Sequence, residues 1–430
     1  MKYFLAFTAL LLSNVYAADW LYIQGTEADK NSTSSDYLKP KVWGFIQAGY
    51  QKDYGNIVIK NGFNKTPFVM LPPQLDSQAA FEIARARIAI RGRIDKENKI
   101  NYFFMTEFAE NGITKPAGHA SANYLTDASI TYKAFDYTNV RIGQFKYPGS
   151  EEGLRAVFAS PYRNFTYVSN HLLLERFIPN DSNNSASDFY QGKPEVSVGA
   201  FRDRGAELFL TSNISENVNV SYAFMIGNGA GLSSSNVASS PTYYGYLSSE
   251  YLFHKGKGFY NESVKIYTWY QSGERKLNDE AFKRVRYGLG LSYFHDGLRL
   301  GAEWIKAKGM IYNGAKDVDP NEHNDIWEYQ IAAGYENEAD GAYLNAQYFV
   351  IAKKLELIAR YDYLNRLTNS DVDRREFKAT TIGFSYHFKG STRIDFNYAF
   401  RDATAPYNEK ANSILDNTGN LLSIQGTLKF

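Results

Sequence analysis

FEIARARIAIRGRI, residues 81–94, decides how this chain folds. In an extended strand successive side chains point to opposite sides, so Arg85, Arg87, Arg91 and Arg93 share one face while Ala84, Ala86, Ile88, Ile90, Gly92 and Ile94 share the other. An arginine turned toward lipid near the bilayer midplane costs about 2–4 kcal/mol. Four of them on one face must therefore meet water, while the isoleucines opposite are suited to hydrocarbon. At roughly 3.3 Å per residue, Arg85 to Arg93 spans about 27 Å, close to the height of the apolar band on a membrane barrel. The stretch reads as a membrane-crossing strand with guanidinium groups along its wet side.

The same alternation recurs to the last residue. In 391–401, Ile394, Phe396, Tyr398 and Phe400 oppose Arg393, Asp395, Asn397 and Arg401. The segment before it sets Ile382, Phe384, Tyr386 and Phe388 against Thr381, Gly383, Ser385 and His387, so the two read as a hairpin turning at Lys389-Gly390. Comparable segments lie at 42–51, 81–94, 99–108, 123–133, 139–147, 203–212, 217–227, 242–253, 260–272, 284–294, 297–308, 325–336, 341–351, 354–364 and 420–430. That makes about seventeen candidates, and because bacterial barrels use even numbers the expectation is 16 strands. The phase of the alternation breaks near 337–354, and Asp296-Gly297 is the clearest tight turn. The fold class is thus all-β, a transmembrane antiparallel barrel.

The ends fit this reading. Lys2, an apolar run from Phe4 to Leu12 and the small-residue site Val15-Tyr16-Ala17 make residues 1–17 a secretory signal peptide, since the apolar run falls far short of the roughly 20 residues of a spanning helix. Residues 18–41 are expected as an N-terminal periplasmic segment and 42–430 as one outer-membrane barrel. In the final strand Leu422, Ile424, Gly426, Leu428 and Phe430 alternate with Ser423, Gln425, Thr427 and Lys429, which suits membrane assembly. The 34 Tyr and 29 Phe favour strands and membrane interfaces. The absence of Cys excludes a disulfide-built secreted module and thiol chemistry. A net charge of +1 gives no ground for a nucleic-acid partner, and any selectivity must come from how charges are arranged.

The arginine row points to anions. Guanidinium stays charged at any working pH, and its fork of donors matches oxyanions. Several adjacent moderate sites let an ion be handed on where one tight site would hold it. The competing reading has these arginines pairing with lumenal carboxylates such as Glu107 and Asp127 to hold the wall, and an even split is expected. Elsewhere the inward tally is Arg141, Arg284, Arg286, Arg299, Lys354, Arg360, Arg393, Arg401 and Lys429 against Glu303, Glu356, Asp362 and Asp395. Residues 147–202 form the longest stretch without alternation. They are expected to fold into the lumen as a constriction carrying Arg155, Arg163 and Arg176, the alternative being an external or trimer-latching loop. The six histidines lie far apart, no nucleophile or phosphate-loop motif appears, and no cofactor or metal site is expected. A barrel enzyme such as a phospholipase and a non-conducting structural barrel are the other classes weighed.

The arginine-rich strand, with YFFMTEF (102–108), LTDASITY (125–132), VRIGQFKYPGSEEGL (140–154) and RDRGAEL (202–208), resembles the phosphate-selective porin O and P family. The resemblance is strongest in the N-terminal half. It implies a 16-stranded barrel, a homotrimer in outer-membrane lipid, in-folded loops, and passive diffusion of small anions such as phosphate. By that resemblance Arg85, Arg87, Arg91 and Arg93 are pathway residues, Lys146 and Arg163 sit near the narrow zone, and Arg141 and Arg155 join the anion path. The long loop departs from phosphate-specific members in not being rich in lysine, so a broader, non-specific porin is the alternative.

Overall fold

In the computed structural model the described residues are 20–26, 38–56, 58–60, 63–65, 79–97, 99–109, 111, 113–114, 124–135, 137–175, 199–232, 240–253, 255–256, 260–277, 280–314, 330–389 and 392–430. The signal peptide and Arg176 lie outside them. The alternating segments become sixteen barrel strands. These are β1 (Lys41–Asp53), β2 (Ala79–Arg93), β3 (Ile100–Glu107), β4 (Tyr124–Phe135), β5 (Thr138–Lys146), β6 (Arg202–Asn213), β7 (Val218–Gly227) and β8 (Thr242–Leu252), followed by β9 (Ser263–Leu277), β10 (Glu280–His295), β11 (Leu298–Lys308), β12 (Glu338–Ile351), β13 (Leu355–Arg366), β14 (Arg375–Lys389), β15 (Thr392–Thr404) and β16 (Leu421–Lys429). Each is antiparallel to its neighbours, and β1 pairs with β16 to close the ring. Closure matters because an open edge in hydrocarbon would leave backbone groups unpaired at several kcal/mol each.

The faces divide as lipid and water demand. Every barrel strand turns at least one large apolar side chain outward, from Ile46 in β1 through Ile130 in β4, Leu247 in β8 and Leu344 in β12 to Ile424 in β16. Inward positions carry buried polar groups such as Gln47, Thr131, Gln271, Arg360 and Ser385. Aromatic pairs mark both rims, Tyr132 with Phe135 (5.6 Å) and Tyr386 with Phe388 (5.2 Å) at the short-turn end and Tyr50 with Phe81 (4.9 Å) at the other. The hairpin over 381–401 has Phe384 opposite Phe396, their rings 5.5 Å apart, while Arg393, Asp395 and Asn397 are buried inside. Asp296 (φ 44°) and Gly297 (φ 82°) join β10 to β11 in the positive-φ conformation that matches strand twist.

Three sequence expectations need correction. Segment 325–336 is not a barrel strand: Gln330–Ala332 pairs with Ile311–Gly314 in a separate ribbon, and β11 pairs directly with β12. Alternation marks any strand with two unlike faces, whether or not it joins the ring. The phase break near 337–354 is a bulge in β12 between Phe349 and Ile351, and beyond it Lys354 lies exposed in the turn to β13, not in the lumen. A second bulge, at Ala84 of β2, lets Phe81 and Ile83 both face out while Glu82, Arg85 and Arg87 face in.

Gly143 in β5 has φ 136°, and a Cβ there would meet the Ala128 carbonyl of β4 at 2.1 Å. Gly143→Ala is expected to cost about 1–3 kcal/mol of barrel stability. The midpoint of urea unfolding in detergent should fall, and an unchanged midpoint would refute the strain.

Two segments enter the barrel. A short helix, α1 (Trp20–Gly25), lies against inward faces, with Leu21 fully buried, the Gly25 carbonyl accepting from Thr131 Oγ1 (2.7 Å) and the Thr26 carbonyl from Arg91 (2.6 Å). Residues 20–26 of the segment expected to lie in the periplasm thus sit within the ring, because Trp20 and Leu21 are apolar and find cover there. The second is the described part of the long connection, 147–175. It forms α2 (Glu151–Leu154), a 3₁₀ turn (Val157–Ala159) and α3 (Tyr167–Leu172), the last capped by Thr166, whose side chain accepts from the Ser169 N–H.

Candidate functional site

The long connection is bonded to inward faces all round the ring. Ser150 donates to Glu303 of β11 (2.8 Å), Tyr162 Oη to the Ala359 carbonyl of β13 (2.7 Å), and Asn164 to Gln51 of β1 (2.9 Å). The Arg163 N–H donates to Asn397 of β15 (2.8 Å), and the Tyr167 N–H to Asp362 of β13 (2.8 Å). Gly153 lets the connection pass, since a Cβ there would meet the Phe201 ring at 2.7 Å. Glu175, held at φ 49°, anchors its far end by pairing with Arg275 (3.0 Å) and with Arg284.

Two cavities result, with Trp20 of α1 and Val157 of the connection bordering both. The larger encloses about 1000 Å³ and is lined by six cationic side chains, Arg85, Arg155, Arg163, Lys265, Arg299 and Arg360, against three carboxylates, Glu151, Glu152 and Glu250. Two of those carboxylates are already engaged. Glu151 pairs with Lys265 (2.8 Å), while Glu152 accepts the Thr166 hydroxyl (2.5 Å) and lies 3.6 Å from Arg360. The guanidinium groups of Arg85 and Arg163, and those of Arg155 and Arg299, are near enough to repel one another. Burial also pulls Arg163 below its ordinary pKa, and Glu82 pulls it back.

The smaller cavity, about 570 Å³, takes Arg87, Arg91, Lys146 and Arg202 against Asp127. Arg202 holds Asp127 at 3.0 Å, and Lys146 Nζ donates to the Arg155 carbonyl (2.7 Å).

The eight residues singled out from the sequence therefore divide. Arg85, Arg155 and Arg163 share the larger cavity, and Arg87, Arg91 and Lys146 the smaller. Arg93 is half-buried toward the short-turn end and lines neither. Arg141 is locked to Glu207 (2.8 Å) between the Phe145 and Phe209 rings and belongs to the wall. Arg87 pairs with Glu107 (2.7 Å), as the competing reading expected, but Asp127 is claimed by Arg202 of β6, outside the row. Sequence reasoning missed Glu82, the partner of Arg163, because the Ala84 bulge reverses the phase. Two successive apolar residues, Ile83-Ala84, were its only trace. Lys265 was also missed, although SVKIYTW places it on the wet face.

The family model for phosphate-selective porin O and P matches residues 68–430. The chain belongs to that family. As a porin O and P member with a closed sixteen-stranded barrel, it is a bacterial outer-membrane porin. The fold is similar to that of OmpF from Salmonella typhi, solved in complex with daunomycin, at 12% identity and a TM-score of 0.57 over 92% of this chain and 99% of that one. It is also similar to an anion-selective porin from Comamonas acidovorans, at 11% identity and a TM-score of 0.53 over 91% and 98%. At such identities the likeness is one of fold alone. No curated protein matches this porin O and P sequence.

Proposed function

We propose that this porin is a passive diffusion channel for small anions, phosphate among them, rather than an enzyme or a general pore. The observation that carries the reading is the larger cavity, where six cations meet three carboxylates and two of those carboxylates are engaged by Lys265, Thr166 and Arg360. A cavity of one dominant sign in low-dielectric walls concentrates counter-ions, and guanidinium clusters held against their own repulsion are relieved by an oxyanion. Arg85, Arg155, Arg163 and Arg299 are the groups assigned to the passing ion. Arg87, Arg91 and Lys146 extend the path, with Arg93 at its short-turn end and Arg141 supporting the wall. The family description and the anion selectivity named for the Comamonas acidovorans porin support the same reading. Assembly as a homotrimer in outer-membrane lipid is part of it.

The test is the reversal potential of the purified protein in a planar bilayer under a potassium chloride gradient. Anion selectivity is expected, and Arg155→Glu with Arg299→Glu should reverse its sign. A cation-selective wild type would end the reading.

A further inference from the structure

The larger cavity holds more than an inorganic anion can use. A bare oxyanion asks only for donors, and a few tens of cubic ångströms hold it, given about 30 Å³ for a water molecule. About 1000 Å³ instead falls in the range of cavities that bind organic ligands.

The lining differs from one part of the cavity to another. Around the connection, Arg155 and Arg163 join Arg85 and Arg299 from the wall. Toward the short-turn end of β8 and β9 stand Glu250, Asn261 and Ser263, the Ser263 hydroxyl donating to Glu250 at 2.6 Å. A buried carboxylate there repels a passing inorganic anion, by about 1–4 kcal/mol at 4 Å depending on the local dielectric. The same carboxylate accepts hydrogen bonds from hydroxyl groups, as it does from Ser263. Tyr162, Tyr267 and Tyr343 add ring faces between the two regions, apolar in body and polar at the tip, which offer an inorganic ion nothing and a ring-shaped solute a surface.

The geometry points to a hydroxylated organic anion as the solute of this cavity, a sugar-like ring carrying one phosphate or carboxylate. Its anionic group lies on the Arg155–Arg299 side and its hydroxyls against Glu250, Asn261 and Ser263. This rests on the anion reading above and deepens it, making Glu250 and Asn261 specificity-determining residues.

The test is block of the chloride current of the full-length porin by three probes, inorganic phosphate, glucose 6-phosphate and neutral glucose. At about pH 8 both phosphates carry about two charges. Half-block by glucose 6-phosphate is expected at a concentration at least about tenfold below that for phosphate, which corresponds to about 1.4 kcal/mol. Glucose alone should not block. In Glu250→Gln the preference for glucose 6-phosphate over phosphate should shrink several-fold, and Asn261→Ala supplies the same comparison should the first variant fail to insert. Equal or tighter block by phosphate overturns the organic solute and leaves anion selectivity standing. So does an anion-selective current that neither phosphate blocks, or a preference unmoved by both variants. A cation-selective current removes the anion reading and this inference with it.

Discussion

Glu107→Ala is expected to cost this barrel about 3–5 kcal/mol, the usual loss when one partner of a buried ion pair is removed and the other is left charged. Glu107 is completely enclosed at the end of β3 and serves several donors at once. It accepts from Arg87 Nε (2.7 Å), the Ala86 N–H (2.8 Å), the Thr114 hydroxyl (3.1 Å), the Ala109 N–H (3.2 Å) and Asn111 Nδ2 (3.2 Å). Truncation leaves the Arg87 guanidinium without its counter-charge, keeping only Thr114 (3.2 Å), and unties residues 109–114 from the wall. Urea unfolding in detergent measures the loss. Glu107→Gln should recover part of it, because the amide oxygen still accepts from backbone. The double variant Arg87→Met with Glu107→Leu should lie closer to wild type than either single change, since removing both charges spares the desolvation penalty. A loss below about 1 kcal/mol in Glu107→Ala would mean the pair is wet and weak, as surface pairs are.

The second large effect concerns α1. Excising residues 20–26 is expected to raise single-channel conductance by about twofold or more, because a constriction dominates the resistance of a pore. Trp20 borders both cavities, Leu21 is fully buried, and the Thr26 carbonyl occupies the Arg91 guanidinium that an anion would otherwise meet. Leu21→Asp should mimic the excision, since a charge cannot remain in that site unpaired. Reversal potentials should also move toward stronger anion preference as Arg91 is freed of the Thr26 carbonyl. Conductance equal to wild type in both variants would show that α1 lies beside the ion path rather than in it.

The sequence carried most of the barrel because lipid and water act on alternate residues, and that contrast survives in the letters of every strand. Ile382 to Phe388 and Ile394 to Phe400 could be assigned outward without any partner being known. Ion pairing is less legible, since which inward charges meet depends on register and on segments arriving from elsewhere. Arg87 with Glu107 joins adjacent strands and was foreseen, whereas Arg163 with Glu82 needs both a bulge and a connection returning across the ring. The contacts of Tyr162, Asn164 and Tyr167 are hidden for the same reason: each side chain is ordinary, and its partner lies on a distant strand. The seat of Trp20 inside the barrel left no mark beyond two apolar residues in a polar stretch.

The seam between β1 and β16 joins Phe45 to Lys429 and Asp53 to Leu421, pairs separated by nearly the whole chain. Such contacts are the slowest to find, and none can form until the fourteen strands between them are in place. Every intermediate before that moment carries two bare strand edges, templates on which a second unfinished chain can add its own. Safe passage of this porin to the membrane therefore depends on keeping those edges shielded in transit, and its stability begins only when the seam zips.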